Sequence, residues 1–129
     1  MAAALFKRIF IANRGEIAVR VVRACDQLGI ESVAAVSLAD RDSLAAKMAT
    51  RAVCIGPASA TQSYLRPEIL ITAALGSGCD AIHPGYGFLS ENAEFAQACA
   101  DAGITFVGPR VELLRKMGDK TAARALAQQ

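Results

Sequence analysis

The 129-residue chain has one histidine, no C-x-x-C pair and no apolar run approaching the ~20 residues needed to cross a bilayer. Each absence removes a class of function. A lone histidine and four widely spaced cysteines (Cys25, Cys54, Cys79 and Cys99) supply neither a zinc-ligand pattern nor a disulfide framework. All four cysteines lie in apolar runs, where a free thiol behaves as a small buried hydrophobe, so reduced core thiols are expected. An excess of one charge sign is also missing. The net charge is only +2, with Lys and Arg scattered, which gives no ground for a nucleic-acid or membrane partner. Neither the dinucleotide fingerprint G-x-G-x-x-G nor the phosphate loop G-x-x-x-x-G-K-[ST] is present. Internal repeats, low-complexity stretches and linkers are lacking too. The start, Met1 to Arg8, does not follow the order of a signal peptide, so a cytoplasmic location is expected.

What remains is the composition of one folded domain. Hydrophobic residues make up 53%, much of it alanine, and charged residues 20%, with 10 Gly and 4 Pro. A chain of this length buries roughly two-thirds of its unfolded surface, enough for an independent core.

Strand and helix signals alternate along it. Arg8 to Ala12 is a short β-rich apolar run. Asn13, three residues before Glu16, has the spacing of a capping box. Ile17, Val21, Cys25 and Leu28 then form a helical stripe, with Glu16, Arg20, Arg23 and Gln27 opposite and Gly29 as a left-handed stop. A second strand is predicted over Ser32–Ser37. Asp40 to Ser43 introduce a short helix to about Ala49, and a third strand spans Ala52–Ile55. Pro67 opens a helix to about Leu75. A brief strand, Ala81–His83, precedes a helix from Glu91 to Ala102, and a fifth strand covers Ile104–Val107. A short helix follows from Val111 to Met117, and Gly118-Asp119 restarts another. This alternation predicts an α/β fold: a Rossmann-like, doubly wound parallel sheet of about five strands in order 3-2-1-4-5, with helices on both faces. The last segment, Lys120 to Gln129, is helix-rich without a stop signal. That pattern leads us to expect a chain cut there, a frayed terminal helix being the alternative.

In such sheets ligands bind beyond the carboxyl ends of the strands, where strand order reverses. Two loops then border one crevice: Asn13-Arg14-Gly15-Glu16 and His83 to Asn92. In the second loop glycines flank Tyr86, allowing tight turns and close approach of a ligand to the backbone. A flat wall beside a ligand and plain packing are equally open for Tyr86. Capping accounts for Ser90 and Asn92 better than catalysis does, and His83 reads as a hydrogen-bonded structural residue. Asn13 to Glu16 can be only a cap plus a surface ion pair. Asp40 stands where a dinucleotide fold puts its ribose-binding acid, but helix capping explains it better. Lys120 beside a helix start suits phosphate, and a solvated lysine is the ordinary case.

Taken together, Lys7–Gly15, Ser32–Asp42, Val53–Pro57, His83–Asn92, Val107–Pro109 and Met117–Lys120 resemble the N-terminal region of the biotin carboxylase family. That region is shared by acetyl-CoA, propionyl-CoA, methylcrotonyl-CoA and pyruvate carboxylases. The resemblance covers nearly the whole chain in order, and Ala12–Ala18 and His83–Asn92 are its most specific motifs. It implies a pre-ATP-grasp fold over residues 1–113, with 114–129 starting the ATP-grasp region. It implies a ligase that uses ATP, magnesium or manganese, and bicarbonate to carboxylate biotin on a carrier protein or domain. A carboxyltransferase and a homodimer of the full enzyme are the other implied partners. By the resemblance, Lys120 contacts ATP, Tyr86 and Gly87 face the biotin and bicarbonate pocket, and Glu91 lies near it. The α-helical face containing Arg23 matches a dimer surface, a solvated face being the alternative. No catalytic residue and no metal ligand falls within these 129 residues, so the chain alone is expected to be inactive. The competing readings are a free-standing nucleotide-binding or dimerisation module, and a small dinucleotide-dependent enzyme, which the missing fingerprint makes poor.

Overall fold

A computed structural model describes residues 6–118. Strands β1 (Arg8–Ile11), β2 (Glu31–Ser37), β3 (Arg51–Gly56), β4 (Ala81–His83) and β5 (Thr105–Phe106) form one sheet. Its order is β3-β2-β1-β4-β5 and every pairing is parallel. Helices α1 (Gly15–Leu28), α2 (Leu44–Met48), α3 (Pro67–Gly76) and α4 (Ala93–Asp101) connect the strands. The predicted topology is therefore observed.

Coverage on both faces is why the strands read as unbroken apolar runs. Along β1, Ile9 and Ile11 pack with Val19, Val22 and Cys25 of α1 and Ala45 of α2. Phe10 points the other way, into a cluster with Leu70 and Ala74 of α3 and Phe95 and Cys99 of α4. Gly29 ends α1 at φ +71°, the left-handed stop expected of it.

One expectation fails at the margin of the sheet. Cys54 is exposed, whereas the other three cysteines are buried. β3 is the sheet edge, its neighbours Val53 and Ile55 face the α3/α4 cluster, and the five-residue α2 leaves the opposite face of this strand open. Gly118 is still helical with residues 111–117, and the restart expected at Gly118-Asp119 lies outside the described residues. This helix crosses from residue 113 to 114, and Leu114 is buried. Asp119 to Gln129, Lys120 among them, lie outside the described residues.

Among the described residues no helix is long and apolar enough to cross a membrane.

Candidate functional site

The order of strands reverses between β1 and β4, and the loops leaving these two strands meet there. They are joined by Asn13, which is 4% exposed. Its Nδ2 donates to the carbonyls of Pro84 at 2.8 Å and Tyr86 at 2.7 Å, and its Oδ1 accepts the Arg14 amide at 2.8 Å. The backbone adds a bond from the Ala12 amide to the His83 carbonyl. Asn13 is thus no capping-box residue. The N-cap of α1 is Arg14, in extended conformation and without a side-chain cap bond. The amide of Asn13 is consumed by carbonyls of the opposite loop, which would otherwise lack donors in a buried place. Gly85 makes this possible. At φ +67°, a β-carbon there would lie 2.7 Å from Asn13 Nδ2.

Arg14 departs from the surface ion pair foreseen for this loop, a role Glu16 fills with Arg20 at 3.2 Å. Its guanidinium grips Asp40 bidentately, Nε to Oδ2 at 2.8 Å and Nη2 to Oδ1 at 3.0 Å. Asp40 is 8% exposed and also accepts the hydroxyls of Tyr64 at 2.7 Å and Ser37 at 3.3 Å. Capping, the role expected of Asp40, falls instead to Ser43, whose hydroxyl accepts the Ala46 amide at the start of α2. A buried carboxylate needs cationic and hydroxyl donors; Ser37 is near in sequence, but the guanidinium and the phenol come from residues remote from it. The Arg14 hydrogen bonds hold Asp40 below the usual carboxylate range, against the opposing effect of burial. Burial, then the bond to Asp40, pushes the Tyr64 phenol up to about 12.

The second loop is anchored at both ends. His83 Nδ1 accepts the Gly85 amide at 3.0 Å, and burial keeps the imidazole below its usual range, so this is the structural role expected. Asn92 Oδ1 accepts the Phe95 amide and caps α4, so of the two candidate caps it is Asn92 and not Ser90 that serves. Between the anchors, Gly87 has φ +71° and Phe88 φ +43°, the one positive φ outside glycine among the described residues. The Phe88 ring lies parallel to Tyr64, with centroids 5.2 Å apart and 3° between planes.

The result is an open cleft of about 360 Å³, lined by Asn13 to Ile17 on one side and Tyr86 to Phe88 on the other. It is the crevice foreseen between the two loops. Tyr86 stands 68% exposed at its edge, and a β-carbon on Gly87 would meet nothing within 4 Å, so its backbone is open to approach. Glu91 is exposed and outside the lining, and Arg23 is exposed on the outer face of α1. The structure therefore brings together Tyr86, Gly87 and Asn13–Glu16, and leaves Glu91 apart. Sequence reasoning passed over Tyr64, which lies beneath both walls. The available signal was the pair Tyr64-Leu65 in a loop otherwise built mostly of small and polar residues.

The family described as biotin carboxylase, N-terminal domain, matches residues 5–114. Biotin carboxylase 1 of Bacillus subtilis is 52% identical over 125 residues, 97% of this chain and 28% of that protein. The urea carboxylase of Kluyveromyces lactis superposes with a TM-score of 0.90 at 43% identity, over 98% of this chain and 11% of that one. The biotin carboxylase domain of a thermophilic 2-oxoglutarate carboxylase, bound to bicarbonate, gives 0.87 at 45% identity, over 97% of this chain and 28% of that one. The chain thus spans little more than a quarter of the curated relative's length.

Proposed function

The chain belongs to the biotin carboxylase N-terminal domain family, and from that membership we propose that its cleft forms one wall of a biotin carboxylase active site. In the whole enzyme, ATP and bicarbonate give ADP and carboxyphosphate. Carboxyphosphate releases CO₂ and phosphate, and the ureido nitrogen of biotin takes up the CO₂. The observation that carries this reading is the junction made by Asn13, which fixes the Tyr86–Gly87 wall against the start of α1. An exposed flat ring beside an open glycine backbone suits the near-planar ureido ring of the biotin head group.

Tyr86 and Gly87 are assigned to the biotin and bicarbonate pocket, Lys120 to ATP, and Glu91 to the periphery of the pocket. Phosphoryl transfer needs cationic clamps on the developing charge. Arg14 is not a free clamp, because Asp40 already matches its charge bidentately. That work is assigned to Lys120 and to parts of the enzyme outside this domain. Magnesium or manganese, when bound, would supply positive charge to offset that of the phosphates. Among the described residues no three of His, Cys, Asp and Glu converge to hold such an ion. Residues 1–113 make the domain and 114–129 lead into an ATP-grasp region. A biotin carrier and a carboxyltransferase are its partners, and the α1 face around Arg23 serves a homodimer. Four free cysteines suit a reducing, cytoplasmic compartment.

The test is steady-state kinetics of biotin-dependent ATP cleavage by the full-length enzyme. Tyr86→Ala should raise KM for biotin about tenfold, and Lys120→Ala should raise KM for ATP by at least that factor. Wild-type values in both variants would refute the site assignment.

A further inference from the structure

Tyr64 contributes nothing to the surface of the cleft, yet it touches what stands behind each wall. It lies in the loop between β3 and α3 and is 1% exposed. Its hydroxyl accepts the Ser37 amide at 3.0 Å, at the end of β2, and donates to Asp40 Oδ2 at 2.7 Å. The same carboxylate oxygen receives Arg14 Nε, so the phenol fixes the acceptor on which the first wall is oriented. On its other side the ring stacks flat on Phe88, which follows Gly87 in the second wall. Phe88 sits in the left-handed region, a conformation that persists in a bulky residue only where its surroundings hold it. The parallel ring of Tyr64 is such a support.

We propose that Tyr64 is a positioning residue that sets both walls of the cleft at once, the first through Asp40 and Arg14, the second through Phe88 and the backbone of Gly87. The proposal rests on the reading that Tyr86 and Gly87 face biotin. A core tyrosine with no such role would affect folding and the fraction of active enzyme. A positioning tyrosine affects the fit of the ligand between the walls, because small displacements of a binding wall are costly.

The experiment compares four full-length enzymes: wild type, Tyr64→Phe, Phe88→Leu and Tyr86→Ala. Free biotin and ATP are each varied in bicarbonate-dependent ATP cleavage, with thermal melting as the folding control. Tyr64→Phe keeps the ring and loses the hydroxyl, and Phe88→Leu keeps the hydroxyl and loses the stack. Each should raise KM for biotin about fivefold while KM for ATP stays within about twofold of wild type. A wild-type KM for biotin in either variant overturns the proposal, whatever happens to kcat or to the melting temperature. Should Tyr64→Phe fail to fold, Phe88→Leu still overturns the proposal by a wild-type KM for biotin, because Phe88 itself lines the cleft and carries the stack. Tyr86→Ala separates the two levels of inference. If it raises KM for biotin and the other variants do not, only the role of Tyr64 falls. If all three leave KM for biotin unchanged, the reading of the cleft falls with it.

Discussion

At Gly85 a single methyl group would meet the amide nitrogen of Asn13 at 2.7 Å and Ile17 Cγ1 at 3.1 Å, on a backbone already at φ +67°. Crowding and left-handed strain add here, so Gly85→Ala should cost about 2–4 kcal/mol. The check is the midpoint of denaturant unfolding at constant m; a change under about 0.5 kcal/mol would mean the two loops are not interlocked at this point. Asn13→Ala leaves the Pro84 and Tyr86 carbonyls without their donor, for an expected loss of about 1–3 kcal/mol. The two residues share one contact, so the double variant should fall short of the sum. None of this was legible locally. Asn three places before Glu has the spacing of a helix cap, and only the loop arriving from β4 shows where its amide goes. Asp40 misled for the same reason: its partners Arg14 and Tyr64 lie on other elements.

Elements whose determinants are local were read well. The left-handed Gly29, the proline at the start of α3 and the apolar strands, buried on two sides, place most of the sheet and its helices. Asn92 was one of two candidate caps, in a helix expected from Glu91, and the structure starts α4 at Ala93 with Asn92 as its cap. Asn92→Ala should cost about 1 kcal/mol by removing the cap of α4. Ser90→Ala should change stability by less than about 0.5 kcal/mol. Thermal unfolding of the two variants distinguishes them, and equal losses would contradict the assignment of the cap. The loop carrying Tyr64 was illegible for the opposite reason. It has no periodicity, and what Tyr64 meets is a carboxylate after β2 and a phenylalanine after β4. The cleft was foreseen as two loops, and its foundation on a third was not.

For the whole molecule these placements set a pH profile. Asp40 is more acidic folded than unfolded, chiefly through Arg14, so its stabilisation is present above about 4 and is lost as pH falls through its lowered value. Burial lowers the His83 pKa, so the fold favours neutral imidazole and weakens as pH falls below about 6.5. On the alkaline side burial raises Cys99 to about 11, and burial with Asp40 raises Tyr64 to about 12. Groups raised in this way stabilise fully below their ordinary values, about 8.5 and 10, and that contribution is lost as pH rises toward the folded ones. The thermal midpoint should therefore be highest between about pH 7 and 8.5. Tyr64→Phe should flatten the decline from pH 10 to about 12. An alkaline limb of the same slope in variant and wild type would count against the buried phenol.

The open edge of β3 has a practical corollary. Cys54 is solvent-exposed, while Cys25, Cys79 and Cys99 are buried and burial raises their pKa values. Thiolate is the reacting species, so a maleimide dye offered to the native chain at neutral pH should attach once, at Cys54. In denaturant all four thiols should react, a stoichiometry that mass spectrometry reads directly. The chain then carries its own address for a reporter fluorophore, on the edge strand at the far side of β2 from the cleft-bearing β1 and β4. Ligand binding could be followed from there without engineering a cysteine.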